Sequence, residues 1–244
     1  MHLAFYQLTA LGDRAINQDY MASSILDNYA IFVVADGLGG HHAGEKASRF
    51  FCHSLLKLAD RYVDQLVHNP TQVMSTWIDH AIDTMKALFA GDPNAESAHT
   101  TCAILYLDTQ ITIAAHCGDS RIYRLNSDKL LWRTLDHSIP QQLFNEGKIS
   151  DAELASHPDQ NQLTRSINVQ KLHKAEVQTL QPIKQGETFI LCSDGFWGNL
   201  KTEELSFLAQ PDSGKLELNK VARLLALRAQ GYSDNLTVQW IRRI

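Results

Sequence analysis

The sequence has no Cys-x-x-Cys pair, no basic stretch, no internal repeat and no apolar run near the roughly 20 residues that cross a bilayer. Each absence removes a class of function. The four cysteines, Cys52, Cys102, Cys117 and Cys192, stand apart, in or beside apolar runs. They read as small buried hydrophobes in a reducing compartment, not as a disulfide framework or a reactive thiol. His-Glu-x-x-His is missing, and of 11 histidines only His41 and His42 are close together, which argues against zinc. A net charge of -5 with no basic cluster points away from nucleic acid and anionic membrane. Met1–Phe5 lacks the charged region and long apolar stretch of a secretion signal, so the expectation is a cytoplasmic protein. No Pro/Gly/Ser linker divides the chain, and residues 1–244 are expected to form a single domain, with a monomer as the default.

What is present is a set of short apolar runs and amphipathic stretches. Tyr29–Ala35, Cys102–Leu107, Ile111–Cys117, Arg121–Leu125, Thr188–Ser193 and Leu236–Arg242 are rich in Ile, Val, Leu and aromatics and read as strands. Asp108-Thr109-Gln110 is short enough to close a hairpin. Residues 43 to about 66 carry Ala47, Phe50, Phe51, Leu55 and Leu58 on one helical face, and residues 71–90 do the same with Val73, Trp77, Ala81, Met85 and Leu88. Asn69-Pro70-Thr71 marks the break between them. A third helix is predicted over Leu218–Gln230, stopped by Gly231. Strand pairs interleaved with helices predict a layered α+β domain.

Four aspartates share one local setting. Asp36 follows Ile31-Phe32-Val33-Val34-Ala35, Asp119 follows Cys117-Gly118, Asp194 follows Ile190-Leu191-Cys192-Ser193, and Asp234 precedes the final strand. One such residue is usually a turn or a cap. Four are harder to place, because gathered like charges repel and lose hydration unless something positive compensates. Hard divalent cations such as Mg²⁺ and Mn²⁺ take oxygen ligands and supply that compensation. Arg14, in Gly12-Asp13-Arg14-Ala15-Ile16-Asn17-Gln18-Asp19, has a guanidinium suited to gripping a phosphate. Gly37-Leu38-Gly39-Gly40 lacks the Gly-Lys-[Ser/Thr] of a nucleotide phosphate loop.

Taken in order, several segments resemble the metal-dependent protein phosphatases of the PP2C (PPM) family in their compact bacterial form. They are Arg14-Ala15-Ile16-Asn17-Gln18-Asp19, Val34-Ala35-Asp36-Gly37-Leu38-Gly39-Gly40-His41, Thr100-Thr101, Gly118-Asp119-Ser120-Arg121, Asp136-His137-Ser138, Leu163-Thr164-Arg165, Cys192-Ser193-Asp194-Gly195 and Ser233-Asp234-Asn235-Leu236-Thr237. Each piece alone is weak; the ordered set extends over nearly the whole chain and is specific.

The resemblance implies two packed antiparallel β-sheets flanked by α-helices, a four-layer αββα sandwich. It implies that Asp36 bridges two Mn²⁺ or Mg²⁺ ions. Asp194 and Asp234 complete one site, and the Gly37 carbonyl joins the other. Asp119 holds a third, weaker ion with Asp194, while Asp19 (through water) and Asn235 support from behind. Arg14 binds the substrate phosphate, and residues from about 136 to 161 form a flap beside the site. The implied reaction is hydrolysis of phospho-Ser/Thr by a metal-activated water. Its partners are phosphorylated proteins, a Ser/Thr kinase and its targets. Leu38 stands where many members carry a His proposed as general acid, Gln18 where some carry Glu, and His99 where Gly often precedes Thr100. Ser166-Ile167-Asn168 replaces a small-residue segment that usually contains Gly. Two other readings are a catalytically weak module that binds phosphoproteins and a phosphohydrolase of small molecules.

Overall fold

The computed structural model describes residues 1–39, 43–154, 156–170 and 174–244. Gly40 and His41 of the glycine-rich motif, and the neighbouring His42, lie outside the described residues. The strands are β1 (Leu3–Ala10), β2 (Asp19–Ile25), β3 (Tyr29–Leu38), β4 (His99–Thr100), β5 (Cys102–Asp108), β6 (Thr112–Cys117), β7 (Arg121–Leu125), β8 (Leu130–Arg133), β9 (Glu176–Leu180), β10 (Thr188–Cys192) and β11 (Leu236–Arg243). The helices are α1 (Ala43–Lys57), α2 (Ala59–Tyr62), α3 (Pro70–Phe89), α4 (Pro93–Glu96), α5 (Ile139–Asn145), α6 (Asp151–Leu154), α7 (Asp194–Trp197), α8 (Thr202–Leu208) and α9 (Lys215–Arg228).

The apolar runs dictate how these elements stack. In β3 the side chains of Ala30, Phe32 and Val34 point one way and Ile31, Val33 and Ala35 the other, and all six are at most 1% exposed. A strand apolar on both faces must be covered on both faces. One sheet runs β2-β3-β5-β6-β9, with β4 attached to β3, and the other runs β1-β11-β10-β7-β8; every pairing is antiparallel. Phe32, Val34, Leu105 and Ala103 of the first sheet meet Ile122, Phe189, Leu191 and Ile241 of the second, forming the middle of the core. Ile31, Val33 and Ile104 face the other way, against Phe51 and Leu55 of α1 and Trp77 and Met85 of α3. The outer face of the second sheet carries Ile190, Val238 and Trp240 against α7, α8 and α9. This is the expected αββα sandwich.

The hairpin at Asp108-Thr109-Gln110 forms as expected, with the Asp108 carboxylate accepting from the Gln110 and Ile111 amides at 2.6 and 2.7 Å. The second predicted helix is α3, with Pro70 in its first turn and the Asn69 side chain accepting from the Gln72 amide. The first differs from expectation. It ends at Lys57 instead of running to about 66, and the chain continues through α2 and a single 3₁₀ turn, Val63–Gln65. The Leu55 carbonyl accepts from the Leu58 amide and from Trp77 Nε1 (2.9 Å), so the i to i+4 ladder stops there and the chain folds over α3. The predicted third helix is α9, which begins three residues earlier than expected and stops at Arg228.

Candidate functional site

The two sheets deliver their aspartates to one end of the sandwich. Asp36 lies within the last residues of β3, which runs on to Leu38. Asp119 lies in the turn between β6 and β7, Asp194 begins α7 just after β10, and Asp234 lies just before β11. Arg14, Asp36, Gly37, Asp119, Asp194, Asp234 and Asn235 line a single cleft of about 410 Å³, with Leu38, Asn161 and Leu163 among its walls. Asp19 is the one expected site residue that does not line it. It is buried behind Asp36, its direct partner across the β2–β3 pair.

Each acid is held by its own framework. The Asp36 amide donates to Thr101 Oγ1 (2.9 Å), and the Asp36 carbonyl accepts from the Thr101 amide (2.8 Å) and from Thr100 Oγ1 (3.0 Å). Thr101 Oγ1 in turn shares a hydrogen bond with Ser120 Oγ at 2.6 Å, which ties the Asp36 strand to the Asp119 turn. The Asp119 carbonyl accepts from Trp197 Nε1 at 2.8 Å. Gly195 lets the Asp194 and Asp234 loops meet: any Cβ there would overlap the Asn235 carbonyl oxygen. Asn235 joins three segments, its Oδ1 accepting from the Gln18 amide (2.8 Å) and its Nδ2 donating to the Leu11 carbonyl (2.8 Å). Arg14 Nη2 donates to Asp234 Oδ2 at 2.6 Å, and the Arg14 loop is fastened to the Asp234 loop by Asp13, whose carboxylate accepts from the Ser233 amide and hydroxyl.

The electrostatics follow from this crowding. Asp36 and Asp119 hold their protons well above the usual carboxylate range. For Asp36 the cause is first the exclusion of water and then the charges of Asp19, Asp194, Asp119 and Asp234; for Asp119 it is burial, then Asp194 and Asp136. Asp194 is pushed up to about 6 by burial and by Asp234, with Asp36 in hydrogen-bonding reach. Burial drives Asp19 up to about 8, against the opposing hydrogen bond from Ser193. Ser193 Oγ donates to Asp19 Oδ2 at 2.6 Å, while Asp19 Oδ1 is buried with no hydrogen-bond partner among the described residues. Four cleft carboxylates and a fifth behind them face one guanidinium. All are hard oxygen donors, and Arg14 answers only Asp234; the uncompensated charge is what an oxygen-preferring divalent cation would complete.

Among the described residues, the group of three side-chain ligand atoms within 4.8 Å of one another is elsewhere: His116, His137 and Glu176. It is a poor cage for an ion. The two imidazole rings stack with centroids 4.5 Å apart and planes 16° apart. Imidazole lone pairs lie in the ring plane, so one ion cannot sit in both planes. The cleft carboxylates are spread more widely, which suits ions that keep several waters.

Sequence reasoning missed the roles of Thr101, Ser193 and Trp197. The first two lie inside the family-like motifs without an assigned job, and Trp197 has no signal beyond its closeness to Asp194.

Comparison with known proteins gives a consistent result. The family described as Protein phosphatase 2C matches residues 9–213. The serine/threonine phosphatase Stp of Listeria welshimeri is 30% identical over 224 residues, covering 89% of this chain and 86% of its own. The crystal structure of the Mycobacterium tuberculosis serine/threonine phosphatase PstP/Ppp superposes with a TM-score of 0.84 at 26% identity, over 99% of this chain and 98% of that one. A structure of the PstP catalytic domain in complex with two manganese ions superposes with a TM-score of 0.78 at 26% identity, over 98% and 97% of the two chains.

Proposed function

The chain belongs to the protein phosphatase 2C family and is a metal-dependent serine/threonine protein phosphatase, and from this premise we propose how its own residues divide the work. The observation that carries the assignment is the gathering of Asp36, Asp119, Asp194, Asp234 and Arg14 on one cleft. Asp36, the most enclosed by other acids, would be shared by two divalent cations. Asp194 and Asp234 would help to hold one and the Gly37 carbonyl the other. Asp119, with Asp194, would hold a third ion of lower affinity. Either Mn²⁺ or Mg²⁺ suits these oxygen donors. When bound, the cations supply a water acidic enough to attack phosphorus near neutral pH and positive charge beside the phosphoryl oxygens.

The rest is done by the protein. Arg14, fastened in place through Asp13 and Ser233, orients the phosphate by paired hydrogen bonds. Asn235 holds the Asp234 turn against the Arg14 segment, so phosphate grip and cation ligands keep a fixed spacing. Asp19 and Ser193 support the cleft from behind. Leu38, 36% exposed and lining the cleft, has no ionisable proton, so proton donation to the leaving Ser or Thr oxygen is not the task of that side chain.

The substrates are phosphoproteins, and the physiological role is to oppose a bacterial Ser/Thr kinase. Residues 1–244 act as a single domain and a monomer, with residues 136–161 as a flap. The test is Mn²⁺-dependent phosphate release from a phospho-Ser/Thr peptide, with Asp36→Asn and Asp194→Asn alongside. Turnover that depends on Mn²⁺ and is lost in both variants is expected. Binding of the phosphopeptide without turnover would favour a binding module instead.

A further inference from the structure

Gly118, the residue before Asp119, is held from two sides. Its φ of +98° is left-handed, and a Cβ there would come within 2.6 Å of the Thr101 methyl. The peptide that aims Asp119 therefore turns on a glycine pressed against Thr101. The backbone polar groups of Gly118 are taken by His137. Its amide donates to the Gly118 carbonyl at 2.9 Å, and the Gly118 amide donates to His137 Nδ1 at 3.2 Å. Both polar groups of Gly118 are thus engaged by one residue.

The ring is prepared for that task. Because Nδ1 accepts, the ring proton sits on Nε2, which faces Glu176 Oε2 at 3.6 Å. Burial first, then His116 and Arg165, hold the His137 pKa down to about 4, so the ring stays neutral near pH 7 and Nδ1 stays an acceptor. His116 stacks on it and is anchored by its own Nε2 to the Leu135 carbonyl at 2.7 Å.

His137 also lies at the root of the 136–161 segment. Its carbonyl accepts from the Thr164 amide at 2.8 Å, Ser138 and Leu163 form an antiparallel bridge, and the Ile139 amide donates to the Gln162 carbonyl. Asn161 and Leu163, at the far end of that loop, line the cleft. One residue therefore joins the base of the segment to the peptide that carries Asp119.

We propose that His137 is a positioning residue that fixes the Asp119 carboxylate relative to the cleft wall formed by Asn161 and Leu163, and so sets turnover and ion occupancy rather than substrate capture. This rests on the reading of Asp119 as an ion ligand. Two substitutions separate the role from plain packing. The Asn side-chain oxygen falls near the place of Nδ1 and keeps an acceptor for Gly118; the Gln oxygen falls near Nε2 and faces Glu176.

The experiment measures kcat, KM and half-saturating Mn²⁺ with p-nitrophenyl phosphate for the full chain. His137→Gln is expected to lose about tenfold in kcat and to need about tenfold more Mn²⁺, the lower end for a residue behind a metal ligand, with KM unchanged. His137→Asn is expected to stay within about twofold of the unmodified protein. Equal losses in both, or better activity in the Gln variant, would overturn the proposal. Should His137→Gln fail to fold, hydrogen exchange at the Gly118 amide of the unmodified protein decides: slow exchange supports the bond and fast exchange overturns it. Asp119→Asn distinguishes the two levels. If it leaves the Mn²⁺ requirement unchanged, the ligand reading falls and this proposal falls with it. If it shifts that requirement and His137→Gln does not, only the role of His137 is refuted.

Discussion

Two groups of charge enclosed by this fold are treated by the chain in opposite ways. Along β7, Arg121 gives Nε and Nη2 to the two Asp136 oxygens at 2.8 and 2.6 Å while stacking on Trp197 at 3.4 Å. Arg124 gives Nε and Nη2 to Glu187 at 3.1 and 2.6 Å, and its remaining donors reach the Gln181 and Pro182 carbonyls. Each guanidinium has its own carboxylate. In the cleft, by contrast, Asp36, Asp119, Asp194 and Asp234 share Arg14, whose side chain is 57% exposed and bonded to Asp234. Matched charge of the first kind contributes to one folded arrangement. Unmatched charge of the second kind costs stability, and a fold keeps it where a ligand supplies the missing sign.

The comparison breaks most sharply at Asp36. Asp36→Asn should lower kcat on the order of 10³-fold, since several kcal/mol of charge stabilisation is withdrawn at about 1.4 kcal/mol per tenfold. In chelator at pH 8 the same variant should melt above the unmodified protein, because one of several crowded carboxyls has been replaced by a neutral amide. Steady-state kinetics and paired melting curves check both halves. The opposite behaviour is expected of Glu187→Gln, which leaves Arg124 without its counter-ion. It should cost about 3 kcal/mol by chemical denaturation and, at about 2–4 °C per kcal/mol, a clear drop in Tm. Its activity per folded molecule should be unchanged.

Arg14 sharpens the comparison from the other side. Its exposed pair with Asp234 should contribute well under 1 kcal/mol to stability. Arg14→Ala should instead raise KM about tenfold, the loss of a charge-assisted hydrogen bond to phosphate, without abolishing Mn²⁺ binding. Titration of Mn²⁺ into the variant checks the second clause.

A separate prediction is the pH dependence of stability. Asp194 and Asp19 are raised from 3.8 to about 6 and about 8. A raised carboxyl binds its proton more tightly in the folded state. Its contribution is full below the unfolded value and is lost as pH rises through the folded one. In chelator, Tm should therefore fall between about pH 4 and about pH 8. Saturating Mn²⁺, which selects the ionised carboxylates, should reverse that slope at the upper end.

The sequence was most readable where burial is complete. The interior strands β3, β5, β6, β7, β10 and β11 all stand as apolar runs. Apart from the two-residue β4, the strands that went unread, β1, β2, β8 and β9, are the four edges of the two sheets. Edge strands such as Glu176–Leu180 are half exposed and are recruited by a neighbour's backbone, which leaves little pattern in side chains. The short α5, α6, α7 and α8 span too few residues to show a periodicity. In the cleft, each acid was visible because it follows or precedes an apolar run. What supports it was not. Ser193 and Asp19 are 174 residues apart, and Trp197 reaches an Asp119 carbonyl 78 residues away. Such bonds exist only once the two sheets have packed.

The central claim is that the unmatched carboxylates exist to hold cations. Isothermal titration with Mn²⁺ tests it most directly, on the unmodified protein and on Asp36→Asn. The PstP catalytic domain has been seen with two manganese ions; the account predicts two ions of comparable affinity here and the loss of that binding in Asp36→Asn. Absence of Mn²⁺ binding, or a stoichiometry and affinity untouched by Asp36→Asn, would contradict it.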